Sequence, residues 1–139
     1  MSHPNVRPLV AVIAGLSAAA MVAMVTASTS TLAGTPGGDD LALQVESGGA
    51  IYDSVCVRCH GVEGEGGEGP ALVGPRALRS FRTAKRLYDY VSLSMPGDAP
   101  GSLSEQEYYD VIAFLLDWNE LNPDGVVVDA DSLEDLALQ

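Results

Sequence analysis

Cys56 and Cys59 are the only cysteines of the chain, and His60 follows them directly in the run CVRCHGVEGEGGEGP from Cys56 to Pro70. Two thiols two residues apart, with an imidazole beside them, have few uses. A thioredoxin-like redox pair needs a preceding strand and alternating strands and helices, whereas the flanks here read as helical and glycine-rich. A disulfide across this spacing is a tight, reactive ring rather than a staple. Structural zinc takes four ligands, and past the N-terminal apolar segment the chain holds one histidine, His60. The reading that uses all three side chains is covalent haem attachment, for which Cys-x-x-Cys-His is the signature. Both thiols add to haem vinyl groups, and the adjacent histidine binds the iron. On a helix the two thiols stand about one turn apart, as neighbouring vinyl substituents require, and His60 then comes under the iron.

Elimination points to the second axial ligand. The methionines are Met1, Met21, Met24 and Met95, and the first three lie in or before the apolar segment. Met95, in LSMPGD, stands in a turn between two helical stretches, with Pro96 to stiffen it. His/Met ligation fills both axial positions and raises the reduction potential, which suits electron transfer and leaves no open iron site for a substrate.

Residues 9–27, LVAVIAGLSAAAMVAMVTA, carry no charge and follow Arg7. They read as a cleaved export signal or a retained membrane anchor, and either places the rest outside the cytoplasm. Residues 28–45, STSTLAGTPGGDDLALQV, read as a flexible linker. The formal charge is −12, and five of the seven basic residues (Arg76, Arg79, Arg82, Lys85 and Arg86) form one island. A body this acidic is a poor partner for nucleic acid or anionic lipid and a good one for the basic face of another protein.

The expected fold class is all-α, three to four helices around one covalently attached haem c, preceded by the apolar export or anchor helix. A first helix is expected over about Glu46 to Cys59 and a middle one over Thr83 to Ser92, with Ala84, Leu87, Tyr88 and Val91 inward. The last helix is the best marked. Ser104 and Glu107 form a capping box, Leu103 and Tyr108 a hydrophobic staple, and Tyr108, Val111, Ile112, Leu115 and Trp118 recur at helical spacing. Leu72, Leu78 and Tyr88 are expected to pack the haem, without which so small a core is marginal. The glycine- and glutamate-rich loop over 61–69 is expected to be mobile. The acidic stretch 121–139 is expected as either an ordered docking segment or a solvated tail.

Over residues 46–120 the chain resembles a class I c-type cytochrome, the monohaem cytochrome c family. The resemblance rests on Gly48 and Tyr52 before the first cysteine, CVRCHG, GEGPAL, SMP and the closing YYDVIAFLL, in that order. It implies the cytochrome c fold, with Gly48 and Tyr52 meeting Val111 and Phe114 where the terminal helices cross. It also implies that the Pro70 carbonyl accepts from the His60 ring N–H, which would fix the ligand's orientation and basicity. Arg76 or Arg79 would bind a haem propionate, although neither matches the spacing of the family's propionate arginine. The run MPGDAPGSLSEQEYYDVIAFLL is also similar to cytochrome domains that serve periplasmic dehydrogenases and respiratory complexes.

The function expected is one-electron transfer rather than catalysis, shuttling between extracytoplasmic redox proteins or membrane-associated respiratory, photosynthetic or dehydrogenase complexes. Two alternatives stand beside it. One is a haem subunit fixed in a larger dehydrogenase or oxidase. The other is a sensor or peroxidase whose Met95 dissociates from the iron.

Overall fold

The computed structural model describes residues 38–139. The segment 9–27, read as signal or anchor, lies outside them. Among the described residues no helix is long and apolar enough to cross a membrane.

The chain enters as helix α1 (Gly38–Ile51), widens into a π turn (Tyr52–Cys56), and tightens again as α2 (Val57–His60). Helix α1 thus starts eight residues before the expected Glu46, inside the stretch read as linker. Asp39 and Asp40 in its first turn suit the positive end of the helix dipole. Gln44 and Gly48 bury one face of it against the rest of the domain. The π turn was not expected either; such turns shift a helix's register and often mark functional sites.

Helix α3 (Ala84–Ser94) is capped by Thr83, whose hydroxyl accepts from the Arg86 N–H. Helix α4 (Glu105–Trp118) begins with the expected capping box, in which both Ser104–Glu107 hydrogen bonds form. Its apolar residues Val111, Ile112, Leu115 and Leu116 are buried, with Ile112 and Leu116 fully inaccessible. A short α5 (Ser132–Asp135) closes the chain.

Helices α1 and α4 cross where Gly48 leaves room. A Cβ there would stand 2.7 Å from Phe114 Cβ and against the Asp110 backbone carbonyl. One turn on, the Tyr52 ring packs on Phe114 and Trp118, with centroids 5.5 and 5.2 Å away. The crossing implied by the family resemblance is therefore present, with Asp110 and Trp118 carrying contacts beside Phe114. Val111 belongs to the same core.

Residues 121–139 are ordered and packed. Leu121, Val128, Leu133 and Leu138 are buried in the core. The Gln44 side-chain amide donates to the Val128 carbonyl and its oxygen accepts from the Val128 N–H, both at 2.8 Å and both buried. Backbone bonds from Ala84 N–H to the Leu136 carbonyl and from Leu138 N–H to the Arg82 carbonyl tie the C-terminus to the start of α3. The Thr83–Ala137 bridge is the one β pairing among the described residues. The acidic stretch 121–139 is thus an ordered strap that ties α1 to α3, not a solvated tail.

Candidate haem site

The attachment segment is fixed from three directions. The Tyr52 hydroxyl donates to the Gly61 carbonyl at 2.7 Å, closing the π turn onto the end of α2. The Gly69 N–H donates to the Cys59 carbonyl, and the Gly66 N–H to the His60 carbonyl, both at 2.8 Å. The loop expected to be mobile is therefore pinned to the helix it follows. Its glycines have a specific use: Gly61, Gly64 and Gly66 have φ of 83°, 69° and 91°, which side-chain-bearing residues rarely adopt. A Cβ on Gly69 would lie 2.7 Å from His60 Cε1, so the backbone passes directly over the imidazole.

His60 itself is buried, and its Nδ1 is 2.8 Å from the Pro70 carbonyl. Since a carbonyl only accepts, Nδ1 carries the proton and Nε2 is left with a free lone pair. Burial, and then the neighbouring Cys59, push the Cys56 thiol up to about 11. Among the described residues no group of three or more His, Cys, Asp and Glu side chains is arranged to hold a bare metal ion.

Cys56, Cys59, His60 and Met95 all line one cavity of about 540 Å³, within the range of about 300–1,000 Å³ usual for small-molecule and cofactor sites. The remaining wall is mostly apolar, including Leu72, Leu78, Phe81, Val91, Val111 and Leu115. Met95 is the C-cap of α3 and comes from 35 residues beyond His60 in sequence. Two thiols, an imidazole lone pair, a thioether and an apolar wall are the donor set a covalently attached haem requires. The residues present therefore fit the group.

Of the residues expected around the cofactor, Pro70, Leu72 and Arg76 line the cavity. Arg79 and Tyr88 are not among the residues that line it. Arg79 opens instead on a separate recess with Arg82, Leu138 and Gln139. The Tyr88 ring turns toward α4 and stacks on Tyr109, with centroids 5.1 Å apart. The reason is helical register: Leu87 and Val91 occupy the inner face of α3, so Tyr88 falls one position round toward α4. Phe81 and Tyr90 line the cavity and were missed. They pack against each other at a tilt, with centroids 5.4 Å apart, and two aromatic residues on either side of a capped helix start were the available signal.

Residues 43–115 match the family model described as "Cytochrome C oxidase, cbb3-type, subunit III". The chain belongs to this c-type cytochrome family. Its cofactor is accordingly haem c, and its chemistry is electron transfer. The cytochrome is 31% identical over 130 residues to "Thiosulfate dehydrogenase" of Allochromatium vinosum, an alignment covering 84% of this chain and 46% of that protein. It also resembles the crystal structure of the sulfane dehydrogenase SoxCD from Paracoccus pantotrophus, at 32% identity and a TM-score of 0.58 over 68% of this chain and 52% of the other. The chain thus spans about half the length of these two relatives.

Proposed function

We propose that the cytochrome is a closed, six-coordinate one-electron carrier in which Cys56 and Cys59 hold the haem covalently and His60 and Met95 are its axial ligands. The observation that carries the reading is the convergence of those four side chains on one apolar cavity from two separate parts of the chain. Haem iron bound there supplies a one-electron couple, with a potential raised by the thioether ligand. The chain's own residues do the rest. The Pro70 carbonyl holds His60 by Nδ1 and raises the basicity of Nε2. Leu72, Leu78, Val111 and Leu115 keep water off one side, and Arg76, which lines the cavity together with Arg58, would be a cationic group for a carboxylate of the cofactor.

The full chain then falls into an extracytoplasmic signal or anchor over 9–27, a connecting segment, and a domain that runs from Gly38 to the C-terminus. Its acidic surface suits a redox partner with a basic docking face, and association with such a partner slows as salt screens the attraction.

A second reading has its own support. Both relatives are named as dehydrogenases, and the match to this chain takes up only about half of each, which favours a haem subunit that hands electrons on from a sulfur-oxidising partner without diffusing. Potentiometric titration of the purified full chain tests the first claim: a single one-electron wave that shifts to lower potential in Met95→Ala supports it, and an unchanged potential refutes Met95 as a ligand. Gel filtration of the native protein from its source separates shuttle from fixed subunit by whether it elutes alone.

A further inference from the structure

The Met95 turn is held at three points. Its own N–H donates to the Val91 carbonyl at 2.9 Å, the last bond of α3. On the outside, Asp98 pairs with Arg58 of α2 at 2.7 Å, with both side chains more than half exposed. On the inside, the Tyr108 hydroxyl donates to the Met95 carbonyl at 2.8 Å, across 13 residues of sequence. The first bond belongs to the same helix and does not set where Met95 sits relative to the opposite wall. The second is an exposed ion pair, of a kind that is weak and screened by salt. The third is different in kind.

Tyr108 is 4% exposed. It stands in the first turns of α4, immediately after the capping box that fixes that helix end. Its ring meets the edge of Tyr88, with centroids 6.4 Å apart at 82°. It takes no part in the cavity wall, so it acts on the site only through the Met95 main chain. A phenylalanine would fill the same space. The hydroxyl is therefore the part of this side chain that refers the Met95 turn to α4, the helix that also supplies Val111 and Leu115 to the wall.

We propose that Tyr108 is a positioning residue that holds the Met95 thioether over the cavity and keeps the iron site closed to external ligands. This rests on the reading of Met95 as an axial ligand. The neighbouring tyrosine supplies an internal comparison. Tyr109 is also buried, but its hydroxyl bonds Glu105 of its own helix at 3.0 Å and has no link to Met95.

The experiment compares haem-loaded full-length wild type, Tyr108→Phe, Tyr109→Phe and Met95→Ala. Two quantities are read: the observed rate of CO binding to the ferrous form, and the amplitude per haem of the far-red sulfur-to-iron charge-transfer band of the ferric form. A neutral hydrogen bond of ordinary net worth, lost from the closed state alone, raises the open fraction about fivefold. Tyr108→Phe is therefore expected to bind CO about fivefold faster with a weakened band, while Tyr109→Phe behaves as wild type. Met95→Ala should lose the band and bind CO faster than any of them. If Met95→Ala matches wild type, the ligand reading itself is wrong. If Met95→Ala behaves as expected but Tyr108→Phe matches wild type, or differs from Tyr109→Phe only in haem content, the positioning role is overturned. High salt on the wild type completes the set. No change in CO rate supports Tyr108, whereas a rise equal to that of Tyr108→Phe assigns the hold to the Arg58–Asp98 pair.

Discussion

Replacing Gly48 by alanine tests the helix crossing on which the site is built. The added methyl would stand 2.6 Å from the Asp110 carbonyl carbon and 2.7 Å from Phe114 Cβ, with the carbonyl oxygen nearer still. Restoring an ordinary contact of 3.4 Å to that carbon moves α4 away from α1 by at least 0.8 Å, and the oxygen requires more. The obstacle is backbone, which cannot rotate aside as a side chain does. Overpacking of a tight core costs about 1–3 kcal/mol, and this contact belongs at the upper end. Alanine recovers roughly 0.5–1 kcal/mol of backbone entropy over glycine in a helix, leaving a net loss of about 2 kcal/mol. For a domain of this size that lowers the melting temperature by roughly 8–16 °C. Gly49→Ala is the matched control, because its nearest obstacles are Phe114 ring atoms at 3.3 and 3.4 Å, which a small ring rotation relieves. It keeps the propensity gain and should melt at or slightly above wild type. Thermal unfolding of the haem-loaded proteins, followed by circular dichroism in the helical region, reads both. A Gly48→Ala protein that melts as high as Gly49→Ala would refute the crossing geometry.

Two further outcomes follow from the strap and from the cap. Gln44→Ala removes both side-chain bonds to Val128 and leaves a buried N–H and carbonyl without partners, a loss of about 2–4 kcal/mol, visible as a lower urea midpoint and as new proteolytic cleavage within residues 121–139. The Ser104 backbone N–H and hydroxyl hold the Glu107 carboxyl below its ordinary value of 4.5. A depressed folded value means that its stabilisation is complete above the unfolded value and fades as pH falls through the folded one. Glu107→Gln should therefore be less stable than wild type at pH 7, by a margin that narrows as the solution is acidified; a gap that stays the same size at every pH would show that the carboxylate plays no part.

The parts legible in the sequence were those whose causes are local. The Cys56–His60 run states its cofactor by spacing alone, and Ser104, Glu107 and Thr83 announce helix starts through side chains that reach three residues along the chain. The structural causes of the rest are distant. The first turns of α1 follow a turn-prone stretch and have exposed Leu43, so nothing nearby distinguishes them from linker. What orders them is Gln44 bonding Val128, 84 residues away. The same pairing explains why an acidic C-terminal stretch is packed rather than solvated. Tyr88 shows a finer limit. Residues adjacent in sequence on a short helix differ by one step of rotation, and only the position of α4 decides whether that step leads into the cavity or onto Tyr109.

We propose that Cys56, Cys59, His60 and Met95 together make a closed haem site for electron transfer. The most direct measurement is the absorption spectrum of the full-length haem-loaded protein, ferric and ferrous, before and after CO, beside Met95→Ala. A far-red sulfur-to-iron band in the native ferric protein that is absent from the variant, with a ferrous spectrum that CO leaves essentially unaltered in the native protein and changes at once in the variant, is the predicted result. Immediate and complete CO binding by the native protein, or a far-red band that survives the loss of Met95, would contradict it.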